Sequence, residues 1–154
     1  MSLEQQLNKL GFMLPGAPKP VATYVPATRV GDLLFLSGVV PSREGRLLYQ
    51  GKLGRELTVQ EGYEATQHTL LNALAIIRDE LGSLEQIKKV VRMTGYVASA
   101  EGFTGQPAVV NGASDLLVQL FGENGRHARV AVGVAELPLG APVELELIVE
   151  CYSS

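Results

Sequence analysis

Apolar residues recur along this chain at two spacings, and the change from one to the other divides it into elements. In "ARVAVGVAEL" (128–137) Val130, Val132 and Val134 alternate with other residues, the period of a half-buried strand. "VATYVPATRV" (21–30), "LLFLSGVV" (33–40), "RLLYQGKL" (46–53), "KVVRMTGYVAS" (89–99) and "VELELIVECY" (143–152) are strand-like in the same sense. They are separated by turn-rich "GD", "PSREG" and "PLGAP". The spacing lengthens in "TVQEGYEATQHTLLNALAIIRDELG" (58–82), where Val59, Tyr63, Leu70, Leu74, Ile77 and Leu81 fall at helical intervals. Thr58 and Glu61 form a capping box there, and Gly82 ends the run. "QPAVVNGASDLLVQLFG" (106–122) is a second long helix, with Pro107 in its first turn and Gly122 at its end. A short helix begins the chain: Leu3, Leu7 and Leu10 are helically spaced, Ser2 caps it and Gly11 stops it. The connector "LPGAPKP" completes residues 1–20.

The order β-β-β-α-β-α-β-β predicts a single α+β domain over residues 1–154, a mixed six-stranded sheet with the two long helices packed on one face. "LLFLSGVV" complicates that picture because it is apolar on both sides: Leu33 and Phe35 on one, Leu34, Leu36 and Val40 on the other. Strands of that kind are buried on both faces, and two helices cover only one. A further copy of the chain is the expected cover, so a homo-oligomer is predicted. The turn "PLGAP" is expected to join the last two strands as a hairpin, with Glu144 opposite a residue near Glu136. Arg129 then lies roughly 23 Å further along at the rise of a strand.

Composition narrows the function classes. Apolar residues make up 46% of the chain, so a packed core is expected and disorder is not. There is no Trp, the formal net charge is −3 and the isoelectric point is near 5.4. Stacking platforms and the electrostatic footprint of a nucleic-acid binder are therefore not expected. Cys151 has no partner for an internal disulfide and falls in an apolar strand, where a buried structural thiol is expected. Neither a signal peptide nor a segment of membrane-spanning length is read in the sequence, and a cytoplasmic location follows as the default.

Candidate chemistry is sparse. His68 in mid-helix and His127 in a loop lack ligand-spaced partners, so no metal and no cofactor is expected, and both are read as surface residues. Neither Ser37 nor Ser99 sits in a nucleophile elbow, and "GKLGRELT" lacks phosphate-loop spacing and reads as a flexible connector. Arg129 stands out because Ala131 and Gly133 follow it on the same strand face. A guanidinium beside small side chains has room for a carboxylate, which its fork matches in a bidentate way. Gly38, after Ser37, interrupts the most apolar strand, as glycine does where something approaches closely. Asn111-Gly112 interrupts the second helix, and Glu144, Glu146 and Glu150 line one face of the last strand. Together these supply an anion clamp, polar positioning groups and a candidate general base.

"TYVPATRVGDLLFLSG", "VVNGASDLLVQLFG" and, most specifically, "HARVAVGVAELPLGAPVELELIVE" resemble the RidA/YjgF family, also called the L-PSP endoribonuclease family. The resemblance implies a chorismate-mutase-like fold, homotrimers, and a site in each cleft between subunits. It also implies hydrolysis of 2-aminoacrylate and related 2-imino acids to 2-keto acids and ammonia. By position it assigns Arg129 to the substrate carboxylate, Ser37 and Asn111 to binding, and Tyr24 and Glu144 to catalysis, Glu144 by activating water. The residues themselves add backbone N–H groups near Gly38 and the space at Ala131 to the binding set. Val39 stands where the family usually has Gln, and Ala131 where many members have Cys. With the N-terminal helix and the "GKLGRELT" insertion, these mark a longer subgroup. A module that binds a small carboxylate without turnover and an endoribonuclease are the rival readings. The acidic isoelectric point counts against the second.

Overall fold

The computed structural model describes residues 1–20 and 22–153. In chain order the elements are α1 (Leu3–Lys9), β1 (Ala27–Val30), β2 (Leu33–Leu36), β3 (Ser42–Arg43) and β4 (Arg46–Leu47). Next come α2 (Val59–Leu81), β5 (Ile87–Ala98), α3 (Gln106–Phe121), β6 (Ala128–Val134) and β7 (Val143–Cys151). The main sheet has five strands in the order β1-β2-β7-β5-β6. All neighbours are antiparallel except β5 and β6, which run parallel because α3 carries the chain back between them.

The fold class is as the patterning predicts, an α+β mixed sheet, but two details differ. The expected sixth strand, residues 46–53, forms no strand of the main sheet and meets it only at Leu53, which bridges Ser99 just past the end of β5. Only Arg46–Leu47 is extended, paired with Ser42–Arg43 across the turn Glu44-Gly45, where both residues have positive φ. Gly51 and Gly54, at φ +115° and +83°, then turn the chain along the end of the fold. "GKLGRELT" is not a loose connector: Leu53 is completely buried, its N–H donates to the Ala98 carbonyl, and its own carbonyl accepts from Ala100. The second difference is that β6 and β7 form no hairpin. β5 lies between them, so Glu144 faces Tyr96, which in turn faces Val132.

Side chains of the sheet divide cleanly. Leu34, Met93, Val97, Leu145, Leu147 and Val149 point to the helices and are buried. Helices α2 and α3 cross closely because Gly112 has no side chain: a Cβ there would lie 2.1 Å from the Tyr63 carbonyl oxygen. The Thr66 hydroxyl bridges the same crossing, 2.9 Å from the carbonyls of both Tyr63 and Val109. Capping follows the sequence. Thr58 and Glu61 satisfy each other's backbone N–H at the start of α2, and Gly82 at φ +87° ends it. Ser2 and Gln5 do the same for α1, whose Leu7 is buried, whereas Leu10 ends the helix exposed. Cys151 is buried, and burial pushes its thiol above the usual range. No helix among the described residues is long and apolar enough to cross a membrane. The sheet face turned away from the helices is open, and Phe35, Val130 and Val132 on it are exposed. Of the segment expected to be a strand from residue 21, extended structure begins at Ala27, and Val21 lies outside the described residues.

Candidate functional site

The residues singled out in the sequence fall into two groups in space. The first surrounds Arg129 on β6. Its Nη1 donates to Asn111 Oδ1 at 2.7 Å and to Ser114 Oγ at 3.1 Å, both on α3. Asn111 and Ser114 are three residues apart on one helix face, which presents both to the strand. Ser114 is held in turn by His127, whose Nε2 lies 2.9 Å from its Oγ. His127 Nδ1 lies 2.7 Å from the Gly125 carbonyl. A carbonyl only accepts, so Nδ1 carries a proton; in the neutral imidazole Nε2 is then the acceptor and the Ser114 hydroxyl donates to it. Among the described residues Arg129 Nε and Nη2 have no hydrogen-bond partner, and no carboxylate lies within ion-pair distance of the guanidinium. One side of the fork is fixed and the other is open.

Ser114 was not marked in the sequence, and His127, expected at the surface, is half-buried with both ring nitrogens engaged. The signal was present in the three-residue spacing from Asn111 and the two-residue spacing before Arg129, but it needs the strand and helix placed side by side. The room expected next to Gly133 is taken up by the ends of two side chains, although Gly133 itself is exposed. A Cβ there would meet the Gln106 amide at 2.7 Å and Ser99 Oγ at 3.0 Å. Ala131 packs against the edge of the core, so the opening is at the guanidinium and not along the strand.

The second group lies at the other end of the sheet. Tyr24, Ser37 and Gly38 line a cleft of about 720 Å³ walled by the connector 13–20, the β3–β4 hairpin and α2. Ser37 Oγ donates to the Val25 carbonyl at 2.6 Å. Gly38 is glycine because Glu144 comes up against it: a Cβ would sit 2.9 Å from the carboxyl carbon. The close approach anticipated at this glycine is made by the chain's own carboxylate. Glu144 is half-buried and has no hydrogen-bond or ion-pair partner among the described residues. Burial, and then the Glu146 charge, push its carboxyl above the ordinary carboxylate range. Glu146 itself accepts a hydrogen bond from Tyr96 Oη at 2.5 Å. Val39, beside this group, is buried and backbone-paired with Leu145, so the position where glutamine is usual contributes no polar group.

Strand registry fixes the relation between the groups. Glu144 is two strands and three residues from Arg129, about 14 Å between backbones. Glu144 also projects from the open face, whereas Arg129 projects toward the helices. This replaces the hairpin spacing expected from the sequence, and it separates the two side chains within one chain more firmly than distance alone. His68, expected at the surface, is half-buried with Nδ1 3.1 Å from Arg43 Nη2.

A family model described as "YjgF/chorismate_mutase-like, putative endoribonuclease" matches residues 4–151. Protein TCP17 of Trypanosoma cruzi is 43% identical over 94% of this chain and 91% of its own length. A 2-iminobutanoate/2-iminopropanoate deaminase of Dermatophagoides farinae is 28% identical over 88% of this chain and 91% of its own. Among solved structures, the protein Atu1372 of Agrobacterium tumefaciens, described as of unknown function, is 43% identical. It superimposes with a TM-score of 0.91 over 97% of this chain and 92% of that one. With nearly every residue inside the family match and the same fold in its relatives, this chain belongs to the YjgF/RidA family.

Proposed function

We propose that this chain is an enamine/imine deaminase that acts as a homotrimer, with each site shared between neighbouring copies. The observation that carries the reading is Glu144: a half-buried, unpartnered carboxylate, pushed above the ordinary carboxylate range by burial and set against Gly38. A group in that condition is suited to take a proton near neutral pH. The open guanidinium of Arg129 supplies the complementary requirement, a clamp for a carboxylate. The deaminase relative supports the substrate class.

In this mechanism a 2-imino acid binds with its carboxylate on Arg129 Nε and Nη2, while Asn111 and Ser114 hold Nη1. Glu144 takes a proton from a water as that water's oxygen bonds to the imine carbon. The C=N π electrons pass to nitrogen, which takes back the proton that Glu144 removed from the water. Collapse of the resulting carbinolamine breaks the C–N bond and releases ammonia and the 2-keto acid. In that collapse Glu144 likewise carries the hydroxyl proton to the departing nitrogen. Tyr24 and Ser37 line the cleft that Gly38 also borders and would orient the substrate. Since Arg129 and Glu144 project from opposite faces of one sheet, a shared substrate requires Arg129 of one copy and Glu144 of the next. A cyclic trimer with head-to-tail contacts allows this.

The test is complementation. Arg129→Ala and Glu144→Gln trimers should each fail to release ammonia from 2-imino acids generated in solution. Refolded together in equal amounts, about one site in four regains both groups by random assembly, and activity should recover to near that fraction. Mixed trimers, confirmed by mass, that show no recovery would sink the shared site. Binding of 2-ketobutyrate without ammonia release from the wild type would favour a carboxylate-binding module.

A further inference from the structure

The cleft bordered by Ser37 and Gly38 is much larger than a three- or four-carbon acid requires. At about 720 Å³ it falls in the range of pockets that enclose drug-sized ligands. Most of its lining residues are apolar, with Leu14, Pro18, Val39 and Ile76 among them, and its charged ones are Lys19, Arg43 and Glu44. The Glu44-Gly45 turn ends β3 and sets Arg43 against α2, where Nη1 donates to Asn72 Oδ1 at 2.8 Å and Nη2 lies 3.1 Å from His68 Nδ1. Arginine has no acceptor, so His68 Nδ1 must hold the lone pair and the imidazole is neutral. Burial and the Arg43 charge both depress His68 in the same direction.

Asn72 is buried and fully used: its Nδ2 donates to the Val40 and Ser42 carbonyls at 3.0 and 2.8 Å. Arg43 is therefore braced by two neutral groups. Three of its five N–H donors remain, and among the described residues no carboxylate lies within ion-pair distance. Glu44 lines the same cleft without pairing with it. A partly buried cation with a fixed fork and no counter-ion, on the wall of an oversized apolar cleft, is arranged for an anion carried by a ligand.

We propose that this cleft receives the side chain of a 2-imino or 2-keto acid that ends in a second carboxylate, and that Arg43 binds that carboxylate. The proposal rests on the deaminase reading for the position of the first carboxylate and adds the substrate class. Leu14, Pro18 and Ile76 would cover the methylenes between the two.

The test is calorimetric titration of the intact protein with two matched series. One comprises 2-ketoglutarate, 2-ketoadipate and 2-ketopimelate; the other comprises 2-ketobutyrate and 2-ketohexanoate. At least one diacid should bind about tenfold or more tighter than 2-ketohexanoate. Arg43→Gln, which keeps donors for Asn72 and His68, and Arg43→Met should both remove that preference. The monoacid constants and the melting temperature should stay unchanged. Diacids that bind no better than 2-ketohexanoate to the wild type overturn the proposal whether or not the variants fold. Equal weakening of both series by the two Arg43 variants overturns it also and makes Arg43 a brace. Arg129→Ala separates the two readings. Loss of monoacid binding there with no diacid preference in the wild type leaves the deaminase reading standing and this one overturned. Arg43-dependent diacid binding that survives Arg129→Ala supports the cleft site on its own. No binding of either series by the wild type overturns both.

Discussion

Arg129 is oriented through a chain of hydrogen bonds that ends in a backbone carbonyl, and that chain can be cut one link at a time. Ser114→Ala removes the hydroxyl between Arg129 and His127. It should weaken 2-ketobutyrate about three- to tenfold, raising KM for a 2-imino acid with kcat nearly unchanged. Ser114→Thr, which keeps the hydroxyl, should restore binding. His127→Phe should reproduce the Ser114→Ala loss, since the hydroxyl then has no acceptor to fix it. Titration calorimetry and melting curves together separate this positioning role from a loss of fold. Glu144 offers a test that needs no substrate. Its native pKa is raised, so the stability it contributes is full below the unfolded carboxylate pKa and is lost as pH rises through the native value. Glu144→Gln should therefore melt at or above the wild type at neutral pH, by about 1 kcal/mol or less. That advantage should shrink toward pH 4. A Glu144→Gln protein less stable than wild type at pH 7 would contradict the burial argument. At this scale the sequence disclosed which residue types were out of place, such as an arginine before small residues and a glycine inside an apolar strand. It did not disclose what each faces. Gly38 was marked as a close approach, yet the approaching group, Glu144, is more than a hundred residues away. Arg43, His68, Ser114 and His127 carried no periodic signal at all.

The elements themselves were legible wherever a local signal closed on itself. Helix α2 begins and ends at the caps that the sequence offers, and α3 ends at Gly122 as expected but begins at Gly105 with Pro107 in its first turn and no side-chain cap. The predicted hairpin between the last two strands failed because strand pairing is decided by where the whole sheet buries its apolar faces, not by the turn between two strands. The segment 46–53 has alternating residues but also glycines that turn it out of the sheet at Gly51 and Gly54. Gly112 is the element-scale feature with the sharpest consequence. In an isolated helix Gly112→Ala would stabilise by up to about 1 kcal/mol. Here the added methyl meets the backbone of α2, which cannot rotate away. We expect a net loss of about 1–3 kcal/mol, read as a fall of several degrees in melting temperature. A variant that melts higher than wild type would show that the two helices can separate freely.

At the scale of the whole molecule, the apolar side chains on the sheet face opposite the helices are the feature that calls for a second copy. Phe35, Val130 and Val132 are exposed there, while Val130 and Val132 belong to the same strand as Arg129. Mass measurement under native conditions should give a trimer at micromolar concentration. Val132→Glu, which places a charge on that face without touching the helix-side core, should give a monomer that has lost acid binding. A monomeric wild type would remove the shared site with it. The sheet order holds one more consequence, for how the protein comes into being. Strand β7 follows every other element in the chain, yet it occupies the middle of the sheet, with Phe35 beside Ile148 on one flank and Met93 beside Leu147 on the other. While the chain is being synthesised, β2 emerges more than a hundred residues before the strand that covers its edge. Until β7 arrives, the inner edge of β2 has no strand beside it. Such edges recruit whatever strand arrives first. The sheet therefore closes last at its centre, and its two halves become one only when β7 pairs with β2 on one side and β5 on the other.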